Sequence, residues 1–202
     1  MPEIGLFPLG IVLLPTERVP LHIFEPRYRE LVGDALETDG EFGLVFADDD
    51  GVREIGTLAR VSDVLERFDD GRLNVVVDGG ERFRVEALTR GRSFMTAEVV
   101  PLEDEEGEVD GEVAARAVGS FRALAALAGA EPPDPDELSP QLSFELAAQV
   151  ELPHEAKQQL LESRLEGERL AIVADLLDDA RLALMQTVEL GERAKRNGSR
   201  AS

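Results

Sequence analysis

The chain has 202 residues, 43% of them hydrophobic, enough to bury a core in one domain or two small ones. Its 42 acidic residues against 21 basic ones give a formal net charge of -21, a field that repels phosphate backbones and argues against general nucleic-acid binding. It has no cysteine, which removes disulfides and thiolate metal sites. No stretch approaches the roughly 18 apolar residues of a membrane span, and Met1-Pro2-Glu3 lacks the positive start of a signal peptide, so a cytoplasmic, soluble protein is expected.

The opening stretch Leu6 to Leu36 holds two extended apolar runs punctuated by Pro8, Pro15 and Pro20. Proline donates no ladder hydrogen bond, so these runs belong at an edge, a crossover or a bend. After Phe24 the period changes. Pro26 suits a first helical position, Tyr28, Leu31, Val32, Ala35 and Leu36 recur at helical spacing, and Asp39-Gly40 ends the helix.

Strands are then expected over Phe42 to Ala47, Ile55 to Phe68 and Leu73 to Val77, the last two joined by the turn Asp69-Asp70-Gly71. Asp78-Gly79-Gly80 reads as a further turn, followed by an alternating strand through Phe83, Val85 and Ala87 and one more over Phe94 to Pro101. The acidic stretch Glu103 to Asp110 has no apolar period and reads as a solvated connector.

Everything beyond it has a helical pattern. Asp110 caps and Gly129 stops one helix; Pro132 to Pro140 is a stiff turn; short helices follow Ser139-Pro140 and Pro153; a long one follows Gly167. From Glu192 the composition is that of a disordered tail. The expected division is a β domain with one inserted helix over 1–102, an acidic linker over 103–110, helices over 111–190 and a tail over 191–202.

The order Phe7-Pro8-Leu9, Leu14-Pro15, then Pro20-Leu21-His22-Ile23-Phe24-Glu25-Pro26-Arg27-Tyr28 resembles the opening of the LON N-terminal domain, the substrate-binding domain of ATP-dependent Lon proteases. Ile55-Gly56-Thr57, Gly80-Glu81-Arg82-Phe83 and Leu152-Pro153-His154-Glu155-Ala156 are similar to later parts of the same family, so the resemblance spans about residues 4–190. It implies an α+β fold in which a PUA-like β pseudo-barrel is followed by an α-helical bundle.

Full-length Lon proteases add an ATPase and a serine-lysine peptidase. A phosphate-binding loop, GxxxxGK[ST], is absent; the two lysines, Lys157 and Lys195, each follow an alanine. Neither lysine lies in a peptidase-like segment, although spacing alone leaves a fortuitous dyad with Ser62, Ser143 or Ser163 open. His22 and His154 are the two histidines, and His22, between Leu21 and Ile23, reads as a structural side chain; no zinc spacing is present. The Arg27-Tyr28-Arg29 cluster could meet an anion, but reads better with Tyr28 packed inward and Arg27 or Arg29 paired with Glu25, Glu30 or Asp34.

The expectation is therefore a non-catalytic protein- or peptide-binding module with no cofactor or metal, capturing polypeptide segments or a partner protein through Leu13, Leu14, Pro15, Val19 and Phe24. The resemblance adds self-association as a homodimer. Two other readings stay open: a peptidase-associated protein acting with a separate ATP-dependent protease, and a PUA-like RNA or small-molecule binder.

Overall fold

Strand β1 (Glu3–Leu9) lies between two partners far from it in sequence. It runs parallel to β3 (Glu41–Asp48), with Phe7 opposite Leu44, and antiparallel to β6 (Met95–Pro101), with Ile4 opposite Ala97. Two long strands, β4 (Gly51–Arg67) and β5 (Leu73–Thr89), form the hairpin predicted at Asp69-Asp70-Gly71, and Gly71 takes the positive φ of 84° its turn requires. This computed structural model describes residues 2–198, with side chains described to residue 190.

With β2 (Arg18–Ile23) the six strands of the sheet are ordered β2-β5-β4-β3-β1-β6, and β6 also pairs with the second half of β5. The hydrogen-bonded ladder through β1, β3, β4, β5 and β6 therefore returns on itself. Strand β2 (Arg18–Ile23) stands outside that circuit, paired with the first half of β5 alone, His22 opposite Asn74. This is where Pro20 is tolerated: an edge strand can direct a missing N–H away from the ladder.

Helix α1 (Pro26–Thr38) starts at Pro26 and ends on Asp39 in the left-handed conformation, close to the predicted limits. Its buried face, Tyr28, Leu31, Val32 and Ala35, packs into a core with Phe7, Phe42, Leu44, Val75 and Val77. Phe7 and Tyr28 stack with ring centroids 4.1 Å apart. A second cluster, Leu6, Val45, Phe83, Ala97 and Val99, occupies the other part of the strand circuit.

Asp78-Gly79-Gly80 is not a turn. It lies within β5, where the pairing with β4 shifts register between Thr57 and Ala59. A Cβ at Gly79 would overlap the Leu14 carbonyl oxygen, and Gly79 exchanges backbone hydrogen bonds with Thr16 and Glu17, both 2.9 Å. Glycine is there because the 10–17 loop crosses directly over the strand.

Contacts divide the chain into two units, Met1–Glu105 with Ala147–Arg164, and Glu106–Leu146 with Leu165–Ser202. A single cut at the acidic stretch does not describe this, because α4 (His154–Glu162) goes with the strands. Buried Arg82 of β5 explains the difference. Its Nη1 donates to the carbonyl oxygens of Leu161 and Ser163, both 2.7 Å, while Nη2 pairs with Asp104. One guanidinium thus caps the end of α4 and pins the acidic stretch. Arg164 adds bonds to the Glu103 carbonyl at 3.0 Å and to Glu105 at 2.8 Å, so residues 103–105 are anchored rather than merely solvated.

In the second unit α2 (Gly111–Ala128) begins at the Asp110 cap, whose carboxylate accepts from the Glu112 N–H at 2.8 Å, and ends at Gly129 with φ 68°. It packs along α5 (Glu166–Gly198). Arg169, fully buried, donates to Glu166 at 2.6 Å and Ser143 at 3.0 Å and lies 4.5 Å from the Phe144 ring, which ties the short helix α3 (Leu142–Ala147) to the start of α5. Helix α5 carries the backbone through Gly198, where a tail from residue 191 is expected; residues 199–202 lie outside the described residues.

Candidate functional site

An apolar groove of about 480 Å³ runs beside β2, lined by the end of β1 (Phe7, Leu9), the loop residues Gly10 and Ile11, and an unbroken run from Val19 to Glu25, with Tyr28 from α1. Side chains of a strand alternate between faces, so a space bordered by every consecutive residue follows the strand's edge rather than one face. That edge is the unpaired one.

The predicted site residues separate. Leu13 and Leu14 are 1% and 0% exposed and Pro15 is buried, so these three serve the core and the loop. Val19 is half-buried and Phe24 is 59% exposed, and both line the groove. Leu9, Ile11 and Tyr28 were not predicted. Their signal was weak: Leu9 and Ile11, apolar residues next to a proline or glycine, read equally well as core, and Tyr28 falls on the inward stripe of a helix.

Buried Glu17 holds the loop that forms one wall. Its carboxylate accepts the Leu14 N–H at 2.9 Å and pairs with Lys157 of α4. The Leu13 carbonyl accepts from the buried Thr57 hydroxyl at 2.6 Å, and Thr16 takes a positive φ of 67° as the chain turns into β2. Lys157 is thereby engaged in holding the loop. Ser62 donates to Asp78 at 2.8 Å and Ser143 to Glu166 at 2.6 Å.

His22 is exposed, not buried between Leu21 and Ile23 as its neighbours suggest, because alternation on β2 turns it to the other face. Its Nδ1 meets the Asn74 Oδ1 at 2.6 Å, and the Asn74 amide donates to Glu66 at 3.1 Å, giving a polar ladder across β2, β5 and β4. Its ring stacks near Phe24 at 5.9 Å and meets Phe68 edge-on at 6.1 Å. Tyr28 packs inward as expected, and burial pushes its phenol above the usual range, with the nearby Arg27 opposing the shift.

A second cavity of about 390 Å³ opens between α1, β1 and β6, with Ile4, Leu31 and Phe94 on its floor and Asp34, Glu37, Glu41 and Arg92 at its rim. Arg92 lies 5.0 Å from the Phe94 ring and pairs with Asp34. Among the described residues no group of three or more His, Asp or Glu side chains is placed to hold a metal ion. No helix among them is long and apolar enough to cross a membrane.

The family model for the ATP-dependent protease La (LON) substrate-binding domain matches residues 3–179, and the chain belongs to that family. It is 27% identical to Lon protease 1 of Hydrogenovibrio crunogenus, over 92% of this chain and 25% of that protein. To Lon protease of Paraburkholderia phytofirmans it is 28% identical, over 91% and 25%. The chain thus spans about a quarter of the length of these relatives. Among solved structures, a Lon N-terminal domain protein from Xanthomonas campestris superposes with a TM-score of 0.67 at 29% identity, covering 84% of this chain and 95% of that one. The N-terminal domain of Mycobacterium avium complex Lon protease shares the fold, with a TM-score of 0.66 at 22% identity, covering 88% and 99%.

Proposed function

We propose that this member of the LON substrate-binding-domain family is a non-catalytic module that captures polypeptide segments in the groove along β2. The observation that carries the reading is the open edge of β2, bordered by apolar side chains and the exposed Phe24 ring. An extended segment added there gains main-chain hydrogen bonds, and its alternate side chains enter the groove. Pro20 removes one donor from the edge, which blunts pairing between copies of the chain. Binding of this kind is weak, and its main-chain part is tolerant of sequence.

The closed strand circuit supports a PUA-like pseudo-barrel for the β unit. A cytoplasmic setting and self-association as a homodimer belong to the same reading. The charge of -21 supports its exclusion of nucleic acid. The test is titration with unfolded model proteins, using Val19→Asp and Phe24→Ser as groove variants. Saturable binding that both variants abolish is the expected result, and no binding at high micromolar concentration overturns the reading. A second reading, presentation of clients to a separate ATP-dependent protease, draws on the relatives' names alone; adding the chain to such a protease and following casein-like substrate checks it.

A further inference from the structure

The groove belongs to an acidic chain. With 42 carboxylates against 21 Lys and Arg, the chain as a whole is strongly negative, and three arginines near the groove are already matched. Arg27 pairs with Glu25 at 2.9 Å, Arg18 with Asp63 at 2.7 Å and Asp78 at 3.0 Å, and Arg72 with Asp70 at 2.7 Å. Locally neutralised cations leave the surplus carboxylates to set the sign of the field an incoming segment meets.

The groove's own charged lining residue is Glu25, at its mouth beside the start of α1. The Glu25–Arg27 pair is exposed on both sides, 38% and 52%, and so is weak enough for an incoming ammonium or guanidinium to share or displace. Aromatic faces nearby already receive the chain's own cations: Arg27 lies 4.5 Å from the Tyr28 ring centre and Arg72 4.9 Å from that of Phe68. Phe24, beside His22, leaves its ring open to the same use.

We propose that the groove selects polypeptide segments in which an apolar anchor is flanked by lysine or arginine, and rejects segments flanked by aspartate or glutamate. The inference rests on the capture reading and names its client class. The anchor enters the apolar space beside Val19 and Ile11. A cation one or two residues away meets Glu25 and an aromatic face, whereas a carboxylate there meets the like charge of Glu25. Selection therefore comes as much from the rejected class as from the accepted one.

Three labelled peptides of equal length with one shared Leu/Phe anchor, flanked by Lys, Ser or Glu, test this by anisotropy titration with the full chain. The lysine peptide is expected to bind about tenfold more tightly than the serine peptide, and the glutamate peptide most weakly, with the spread collapsing at about 0.3 M salt. Glu25→Gln, which keeps the shape of the side chain, narrows the gap between lysine and serine peptides; Val19→Asp removes binding of all three. Equal affinities, or a spread indifferent to salt, overturn the selection and leave capture standing. An unchanged gap in Glu25→Gln overturns the placing of the cation at the groove mouth. Binding of none of the three overturns the capture reading itself. If the anisotropy of the lysine peptide falls again as the chain concentration is raised, the occupant is a second copy and the selection falls.

Discussion

The Arg82 guanidinium donates to the Leu161 carbonyl oxygen at 2.7 Å across 79 residues of sequence. A strand side chain is therefore the cap of a helix that arrives much later in the chain. Replacing it with methionine removes the donors while Asp104 and the two carbonyls stay behind. We expect Arg82→Met to destabilise the protein by about 3–5 kcal/mol, read as a lower urea midpoint. Arg82→Lys does not restore the wild-type midpoint, because one ammonium cannot reproduce the planar fork that serves Leu161, Ser163 and Asp104 together.

Gly79 offers a sharper contrast. Gly79→Ala forces a methyl group into the Leu14 carbonyl oxygen, which is backbone and cannot step aside cheaply. The expected loss is about 1–3 kcal/mol, with weaker peptide binding as the loop over the strand shifts. Gly10→Ala, in the same loop, meets nothing nearer than 4.0 Å and should leave the urea midpoint unchanged.

In the second unit, Glu166→Ala takes a carboxylate from buried Arg169 and removes the acceptor of the Ser143 N–H and hydroxyl. A cost of about 3–5 kcal/mol is expected. The double replacement Glu166→Leu with Arg169→Met should cost less than Glu166→Ala alone, since it removes the buried charge with its partner. Thermal melts of the two variants beside wild type decide this, and a double variant that melts below Glu166→Ala would argue against it.

Acid should weaken the same unit through Asp178. The Arg116 guanidinium first, and the Ser120 hydroxyl second, hold its carboxyl below the usual range. A lowered folded-state pKa gives stability that is present above the unfolded value, about 3.9, and is lost as the pH falls through the lowered one. The pair is partly exposed, 50% for Arg116 and 31% for Asp178, so solvent screens it and the contribution is small. Asp178→Asn should be slightly less stable than wild type at pH 7 and indistinguishable from it at about pH 2, by urea denaturation at each pH.

Leu14 and Phe24 should respond in opposite ways. Leu14→Ala empties a fully buried position and should cost about 2–5 kcal/mol. Phe24→Ser, at a position 59% exposed, should leave the unfolding free energy within about 0.5 kcal/mol of wild type while removing polypeptide binding.

That pair also marks how far the sequence reaches. Local chemistry was readable: Pro26 opened α1, Asp110 and Gly129 bounded α2, and Asp69-Asp70-Gly71 turned the hairpin, each through a backbone demand of its own. The family was readable in the ordered motif from Phe7 to Tyr28. Burial along Leu13-Leu14-Pro15 was not, because a loop's burial depends on what it crosses, and here that is β5 at Gly79. Gly79-Gly80 misled for the same reason: two glycines suit a turn and a close crossing equally. Val19 and Phe24 were found at the groove, but Leu9, Ile11 and Tyr28 join them through a closure that no local pattern encodes.

The placing of β2 has a kinetic meaning. The β4–β5 hairpin brings together residues close in sequence and can form early, whereas β2 must wait for β5 before it has anything to join. Once formed, β2 is held by one ladder, while β5 is held by three neighbours. The strand that carries the groove is thus the one whose amides should exchange with solvent soonest, opening and reclosing while the rest of the sheet stays protected.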